Sequence, residues 1–287
     1  MTFIKSIQTS ENKIILKKLG KPAPELLITD QKCISIAFLD TETTGVNRAN
    51  DKIIELALKM ATFENSSGMI VSIDQVYESF NDPGEAISQE ITMLTGISND
   101  MVQGQSIDWG MVDTILKDSD IVVAHNASFD RAFVDKHSSV SPNKIWACSI
   151  NDIDWLDRGF TSSKQELLCY WHGFYFDAHR AMNDVDALVH LLTHSSYDDI
   201  DKPVLELIEN SQKPTYVILA TNFNYDPVKK DIVKANKYKW NPEEKIWYKN
   251  VTFDILESEK EWLTRVIYDF NFEGRVEEIN PIDKYKL

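Results

Sequence analysis

The sequence predicts an α/β fold in which a mixed, five-stranded sheet is flanked by helices, with a small α+β domain near the C-terminus. Three β-rich runs follow one another between 34 and 80, which favours antiparallel pairing. Strands then alternate with helices between 121 and 194, which favours parallel pairing. Beyond 211–214, a stretch typical of a linker, lysines and aromatic residues become frequent, which indicates a second domain.

The first predicted strand ends in two acidic residues. The run 34–39 is short, apolar and rich in β-branched residues, and it leads directly into Asp40 and Glu42. Because residues two apart in an extended chain point to the same side, the two carboxylates are expected to lie side by side. Like charges in a half-buried place are tolerated mainly where cations lie between them. The pair therefore predicts the floor of a two-metal site.

The other elements of this first domain, 33–210, are predicted from turn and capping signals. The segment 65–68, Asn-Ser-Ser-Gly, separates strands 53–63 and 69–80 as a hairpin. Further strands are predicted at 121–124 and 144–148, and helices at 88–96, 98–101, 106–117, 128–137, 151–156, 164–171, 181–194 and 201–210. Residues 1–32 are predicted to form an N-terminal extension that covers the domain.

The C-terminal domain, 214–287, is predicted to be a small α+β unit. Its strands are expected at 216–220, 238–240 and 245–249, and its helix at 228–235. Trp240 and Trp247 are predicted to form its core and its lysines a solvated face. The alternative is that four aromatic residues interleaved with the lysines stack on the bases of a single strand: Tyr238, Trp240, Trp247 and Tyr248.

Composition and charge restrict the class of protein. No run of about 18 uncharged apolar residues occurs, and the first residues lack the apolar segment of a signal peptide, so a cytoplasmic protein without membrane association is expected. The three cysteines are far apart and indicate neither a disulfide framework nor a zinc site. A net charge of −15 argues against a nucleic-acid partner, but carboxylates that bind metal would account for part of it, and residues 213–250 carry eight lysines against four acidic residues.

Acidic residues occur in three separated segments where a core would not need them. After Asp40 and Glu42, Asp130 lies in the first turn of a helix that follows the buried strand 121–124, and Asp184 lies in the first turns of another helix, just after His179. These groups can converge at one sheet edge. Mg²⁺ and Mn²⁺ prefer oxygen ligands, and a pair of such ions can stabilise both the attacking and the leaving oxygen of a phosphoryl displacement. A histidine near neutral pH suits the role of the base.

The three segments resemble, in order, the motifs of the DEDDh, or DnaQ-like, 3′-to-5′ exonucleases, a family that includes the epsilon subunit of bacterial DNA polymerase III and exonuclease X. They are Asp40-Thr41-Glu42-Thr43-Thr44-Gly45, His125-Asn126-Ala127-Ser128-Phe129-Asp130 and His179-Arg180-Ala181-Met182-Asn183-Asp184. The resemblance covers roughly residues 33–194 and implies a ribonuclease H-like fold. The sister subtype has a tyrosine four residues before the last aspartate, and Arg180 at that position excludes it.

The resemblance also implies the roles of individual residues. It implies that Asp40, Glu42, Asp130 and Asp184 ligate two Mg²⁺ or Mn²⁺ ions and that His179 is the general base. The segment Leu94-Thr95-Gly96-Ile97 resembles the family's helix that packs on the terminal nucleotides. Leu94 and Ile97, together with Thr41 and Thr43 of the first motif, are therefore the candidate substrate-binding residues, whereas Glu55, Asp177 and Asp186 are off the motif pattern and are left out.

The expected function is hydrolysis of phosphodiester bonds at a free 3′ end of nucleic acid, single-stranded DNA above all, with release of nucleoside 5′-monophosphates. The motifs recognise only a phosphodiester and a free end, so an exoribonuclease or an oligoribonuclease-like RNA-trimming enzyme is the alternative. From another class of protein, the alternative is an accessory subunit that binds a polymerase, a helicase or a single strand through the C-terminal domain.

Overall fold

The computed structural model describes residues 8–10, 13–20, 26–222, 226–268 and 270–286. The chain divides into two units, of which the first ends at Ser211 but includes Tyr285, and the second is Gln212–Lys284. Parts of the predicted N-terminal extension (1–7, 11–12 and 21–25) and of the predicted C-terminal domain (223–225, 269 and 287) lie outside the described residues.

The first unit contains nine strands and seven helices among the described residues. Its strands are β1 (Gln8–Ser10), β2 (Lys13–Ile15), β3 (Lys17–Lys18), β4 (Cys33–Thr43), β5 (Ile53–Glu64), β6 (Ile70–Phe80), β7 (Ile121–Ala124), β8 (Ile145–Cys148) and β9 (Phe174–Tyr175). Its helices are α1 (Gln89–Thr95), α2 (Asn99–Val102), α3 (Trp109–Asp118), α4 (Ala127–Val134), α5 (Gln165–Trp171), α6 (Ala181–Leu192) and α7 (Pro203–Ser211), with a 3-10 turn at Ser141–Asn143.

Five strands form the main sheet, in the order β6-β5-β4-β7-β8. The pairs β4–β5 and β5–β6 are antiparallel, whereas β4–β7 and β7–β8 are parallel, which confirms the predicted mixed sheet. Side chains alternate along β4, so that Ile36 and Phe38 pack in one core with α5, α6 and α7. Ala37 and Leu39 pack in the other core with α3 and α4. The central strand is therefore buried on both faces.

Two predictions about the first unit are wrong. Residues 151–156 form turns instead of a helix, because Ile153 and Trp155 are both buried although they are two positions apart, a spacing that does not fit one face of a helix. The Asp152 carboxylate also accepts the Cys148 backbone N–H at 2.8 Å, which closes the turn. Tyr285, predicted to lie in the C-terminal domain, packs in the first unit against the core that contains Leu39.

In its described residues, the second unit is a four-stranded antiparallel sheet with two helices. Its elements are β10 (Thr215–Ala220), α8 (Pro227–Ala235), β11 (Lys239–Asn241), β12 (Ile246–Val251), α9 (Phe253–Val266) and β13 (Arg275–Ile279). The strand order is β11-β12-β10-β13, and the core includes Ile218, Val233 and Trp247. Trp240 was predicted to be a core residue as well, but it is 47% exposed, because β11 is a three-residue edge strand with a sheet neighbour on one side only. Among the helices of the described residues, none combines the length and the apolar character needed to cross a membrane.

Candidate active site

Three carboxylates meet where β4 extends beyond its parallel neighbour. β4 pairs with β7 only as far as Phe38, whereas its pairing with β5 continues to Thr43. Asp40 and Glu42 lie in this extension and, like Phe38, point towards the layer that contains α6. One oxygen from each of Asp40, Glu42 and Asp184 of α6 lies within 4.8 Å of the others. The structure thus brings together acids that are more than 140 residues apart in the chain.

Asp130 approaches this cluster from α4, on the opposite face of the sheet. Its side chain is buried, and its Oδ1 accepts hydrogen bonds from the backbone N–H of Thr41 at 3.0 Å and from the Thr41 hydroxyl at 2.8 Å. Since β4 has no parallel neighbour beyond Phe38, the carboxylate satisfies an N–H that would otherwise lack a partner. Asp130 is not one of the three acids that meet the 4.8 Å spacing, but its charge raises the pKa of Asp40.

The four acids are held in a place that disfavours their ionisation. Burial is the largest cause for each, and neighbouring carboxylates add to it. Together they raise the pKa of Asp40 well above its ordinary value, that of Glu42 to about 8, and those of Asp130 and Asp184 to about 7. The guanidinium of Arg180 acts in the opposite direction on the pKa of Glu42. A crowded set of oxygen donors with this excess of negative charge fits hard divalent cations.

His179 lies directly before α6 and is exposed. Its φ is 65°, in the left-handed region, which a non-glycine residue adopts at a cost of about 1 kcal/mol or more. The carboxylate of Asp184 accepts the backbone N–H of Arg180 at 3.1 Å and also a hydrogen bond from the His179 backbone. The predicted base is therefore attached to the same helix end as one of the clustered acids.

Glu55 of β5, which is off the motif pattern, lies beneath the site. It is completely buried, directly opposite Glu42 in the β4–β5 register. Its carboxylate accepts hydrogen bonds from Arg180 Nη2 at 2.8 Å, from Arg180 Nε at 3.2 Å and from the Ala181 N–H at 3.0 Å. The signal was present in the sequence, since a glutamate inside the apolar run Ile53-Ile54-Glu55-Leu56-Ala57-Leu58 needs a partner once it is buried.

The four candidate substrate-binding residues differ in how far their side chains are exposed to solvent. The side chain of Leu94 on α1 is 52% exposed. Thr41 and Thr43 are buried, and their hydroxyls donate to Asp130 and to the Gly45 carbonyl. Ile97 is completely buried and packs in a small cluster with Ile54, because Gly96 ends α1 with a φ of 72° and turns the chain inward. The prediction that the Ile97 side chain contacts substrate is therefore wrong.

Other polar residues near the motifs have internal partners. The Nδ1 of His125 lies 2.7 Å from the Ser149 hydroxyl oxygen, a contact that holds the turn between β7 and α4. Asp177 forms an ion pair with Lys18, and Asp186 forms one with Lys59 of β5.

Known proteins resemble this chain over the region that forms the first unit. The family model RNase_T, described as exonuclease, matches residues 37–192. PolC-type DNA polymerase III of Halalkalibacterium halodurans is 30% identical over 203 residues, which are 63% of this chain and 13% of that protein. The same enzyme from Listeria innocua is 42% identical over 102 residues, which are 33% of this chain and 6% of that protein. The chain thus spans a small fraction of these relatives.

Two solved structures are similar at lower identity. Exonuclease X in complex with 5′ overhanging duplex DNA has a TM-score of 0.41 and 20% identity, and the match covers 60% of this chain and 99% of that one. The E. coli ExoI–ssDNA complex has a TM-score of 0.46 and 15% identity, with coverages of 66% and 48%. Because the family match extends over more than half of the chain and includes all three motifs, the chain belongs to the RNase_T exonuclease family, in agreement with the family predicted from its sequence.

Proposed function

We propose that this exonuclease acts on DNA, removes nucleotides from a free 3′ end and releases nucleoside 5′-monophosphates with the help of two Mg²⁺ or Mn²⁺ ions. The observation that carries the proposal is the convergence of Asp40, Glu42 and Asp184, with oxygens within 4.8 Å of one another, beside the anchored carboxylate of Asp130. DNA is proposed as the substrate because the curated relatives that share this region are DNA polymerases by name.

The chain's own residues would hold the ions in a fixed arrangement. Asp40 and Glu42 are carried by a central strand paired along its whole length with β5, Asp130 is fixed by two hydrogen bonds to Thr41, and Asp184 is fixed by backbone N–H groups. Bound divalent cations would supply the positive charge that stabilises the additional negative charge of a phosphodiester under attack. Such preorganisation lowers the cost of charge rearrangement during the reaction.

His179 is proposed to accept the proton of the attacking water. Imidazole is the side chain that most commonly performs this role at neutral pH. Its exposed position next to Asp184 at the start of α6 allows it to reach water and substrate without displacing packed groups. The proton would pass from the water to a ring nitrogen as the oxygen bonds to phosphorus, and the 3′-oxygen of the preceding nucleotide would leave.

A gel assay tests the proposal. Single-stranded DNA and RNA of the same sequence, labelled at the 5′ end, are incubated with the full chain in Mg²⁺, in Mn²⁺ or in EDTA. We expect a ladder that shortens from the 3′ end, faster on DNA than on RNA, and no reaction in EDTA. Removal of the base in His179→Ala should reduce kcat by about 100- to 10,000-fold.

Asp184→Asn should abolish turnover as well, because it removes a charge from the acid cluster. Asp177→Asn is the matched control, since it makes the same chemical change at an exposed carboxylate two residues before His179. Degradation from the 5′ end, faster cleavage of RNA, or a wild-type rate for Asp184→Asn would each contradict the proposal.

A further inference from the structure

The second unit carries an exposed indole among lysines at the junction of α8, β11 and β12. We call this surface the Trp240 patch, and its members are Lys234, Lys237, Trp240 and Lys245, all of them exposed.

Backbone hydrogen bonds bring Lys234 and Lys237 together. The N–H of Lys237 donates to the Lys234 carbonyl at 3.0 Å, and the N–H of Tyr238 donates to the Val233 carbonyl at 3.0 Å. With a φ of 66°, Lys237 turns the chain from the end of α8 directly into β11, where Lys239 is the first residue. Lys239 is adjacent to Trp240 in the strand, so its side chain points to the opposite face. The ammonium groups of Lys234 and Lys237 therefore extend from one tight turn.

The β11–β12 hairpin adds the aromatic residue and the third lysine. Trp240 pairs with Trp247 across the two strands, and the pairing of Asn241 with Ile246 places Lys245 next to this end of the hairpin. The Asn241 side chain closes the turn by accepting the N–H groups of Glu243 and Glu244 at 3.0 and 3.1 Å. The two glutamates in this turn offset part of the positive charge.

The indole of Trp240 is supported from within the unit. Its ring centroid lies 5.4 Å from that of Trp247, which is 8% exposed and belongs to the core. Trp240 itself is 47% exposed, so a large apolar ring is held in place while part of it stays in water. A ring held in this way can bind a flat partner without first losing much conformational freedom.

The charges around Trp240 are also available to a partner. Within the described part of the chain, none of the three patch lysines forms an ion pair. In the same unit, by contrast, Lys249 is paired with Glu259 at 2.6 Å and Lys260 with Glu257 at 2.8 Å. The patch is thus a local concentration of free positive charge in a chain whose net charge is −15.

We propose that the Trp240 patch binds single-stranded nucleic acid, with a base stacked on Trp240 and phosphates near the lysines. A single strand supplies both an anionic backbone and accessible base faces, whereas a duplex hides its base faces. An acidic protein segment would match the lysines but would leave the indole without a partner. The inference rests on the proposed function in one respect, the choice of a DNA strand as the probe.

The test measures binding without catalysis. A fluorescein-labelled oligothymidylate of about 20 nucleotides, long enough for one binding unit, is titrated with the full chain in EDTA, and fluorescence anisotropy is followed. Trp240→Ala should raise the dissociation constant about 5- to 150-fold, because the loss of one stacked base costs about 1–3 kcal/mol. Trp240→Tyr, which keeps an aromatic face, should restore most of the affinity.

The lysines are tested through the salt dependence of binding. Each phosphate contact in a single strand contributes about 0.7 to the slope of log K against log salt, so the double variant Lys234→Gln, Lys237→Gln should lower that slope by about 1.4. Lys260→Gln is the matched control, because this lysine lies in the same unit but is paired with Glu257, and its slope should equal that of the wild type.

Three results would overturn the inference: wild-type affinity in Trp240→Ala, an unchanged slope in the double lysine variant, or tight binding of polyglutamate that also depends on Trp240. Hydrolysis of a dinucleotide in Mg²⁺ distinguishes a failure here from a failure of the proposed function. If the dinucleotide is cleaved at equal rates by wild type and Trp240→Ala, the exonuclease assignment stands whatever the anisotropy shows. Binding without any hydrolysis would overturn the exonuclease proposal alone.

Discussion

The ion pair between Arg180 and Glu55 is expected to fix the segment that carries His179. Glu55 is completely buried, whereas the Arg180 side chain is 36% exposed. In Arg180→Met, the buried Glu55 carboxylate keeps, among the described residues, only the hydrogen bond from the Ala181 N–H. The free energy of unfolding should therefore fall by about 3–5 kcal/mol. Glu55→Gln leaves a guanidinium that can turn towards water and keeps an oxygen for Ala181, so the loss should be only about 1–3 kcal/mol.

The assay is urea denaturation in EDTA, with the free energy of unfolding extrapolated to water. Arg265→Met is the control, because its ion pair with Glu261 is 3.7 Å long with both side chains 69% exposed, and it should change stability by less than about 1 kcal/mol. Under conditions in which all variants are folded, kcat of Glu55→Gln on single-stranded DNA should fall at least about 10-fold with little change in KM, because a displaced base affects the reaction more than binding.

Either of two results would contradict the proposed role of the Arg180–Glu55 ion pair. Equal losses of stability in the two variants, or a larger loss in Glu55→Gln, would show that burial of the carboxylate does not control the energetics of the pair. A kcat for Glu55→Gln equal to that of Arg265→Met would show that the pair does not position the segment before α6.

Three further predictions follow from burial and charge. The pKa values of Glu42 and Asp130 are raised to about 8 and about 7, so the folded state holds protons that the unfolded state releases, and the stability of the metal-free protein should fall as pH rises from about 4 to 8. Mg²⁺ should therefore raise Tm more at pH 8 than at pH 5.5. An equal rise of Tm at the two pH values would contradict a cation site. In urea denaturation, Ile97→Ala should lower the free energy of unfolding by about 2–5 kcal/mol, because Ile97 is completely buried. Leu94→Ala should change it by no more than about 0.5 kcal/mol but should raise KM for DNA. A larger loss of stability in Leu94→Ala than in Ile97→Ala would refute the placement of Ile97 in the core and Leu94 on the surface. Burial lowers the pKa of His172 to about 4, so protonation of His172 favours the unfolded state below about pH 6.5. The difference in the free energy of unfolding between wild type and His172→Gln should therefore shrink by about 2 kcal/mol between pH 7 and pH 4.5. A difference that stays constant with pH would contradict the lowered pKa.

Predictions from the sequence were most accurate where a local pattern decides the structure. The run from Ile34 to Leu39 has the composition of a buried strand, and the period of two along that strand places Asp40 and Glu42 on one face whatever surrounds them. The hairpin at 65–68 and the cap at Ser88, whose hydroxyl accepts the Ile91 N–H, follow equally local rules.

The errors concern burial, which depends on what packs against a segment. The apolar side chains of residues 151–156 are compatible with either a helix or a turn until the neighbouring elements are known. In the same way, Ile97 could be exposed or buried, depending on what packs against it. Helix α9 and strand β13 were not predicted, since both are rich in charged residues. The apolar side chains of Leu256 and Leu263 in α9 are buried only within the core of the second unit. Trp240 was assigned to the core on composition alone, although an edge strand has too few neighbours to cover it.

By itself, the sequence determined the strand that ends in two carboxylates, the order of the three acidic motifs and hence the family. Only the tertiary structure decided that Glu55 neutralises Arg180, because the two residues are 125 positions apart and the need for a buried partner does not say which residue supplies it. Only the tertiary structure left Trp240 and its lysines uncovered. Local conformation follows from neighbours along the chain, whereas charge pairing and exposure follow from neighbours in space.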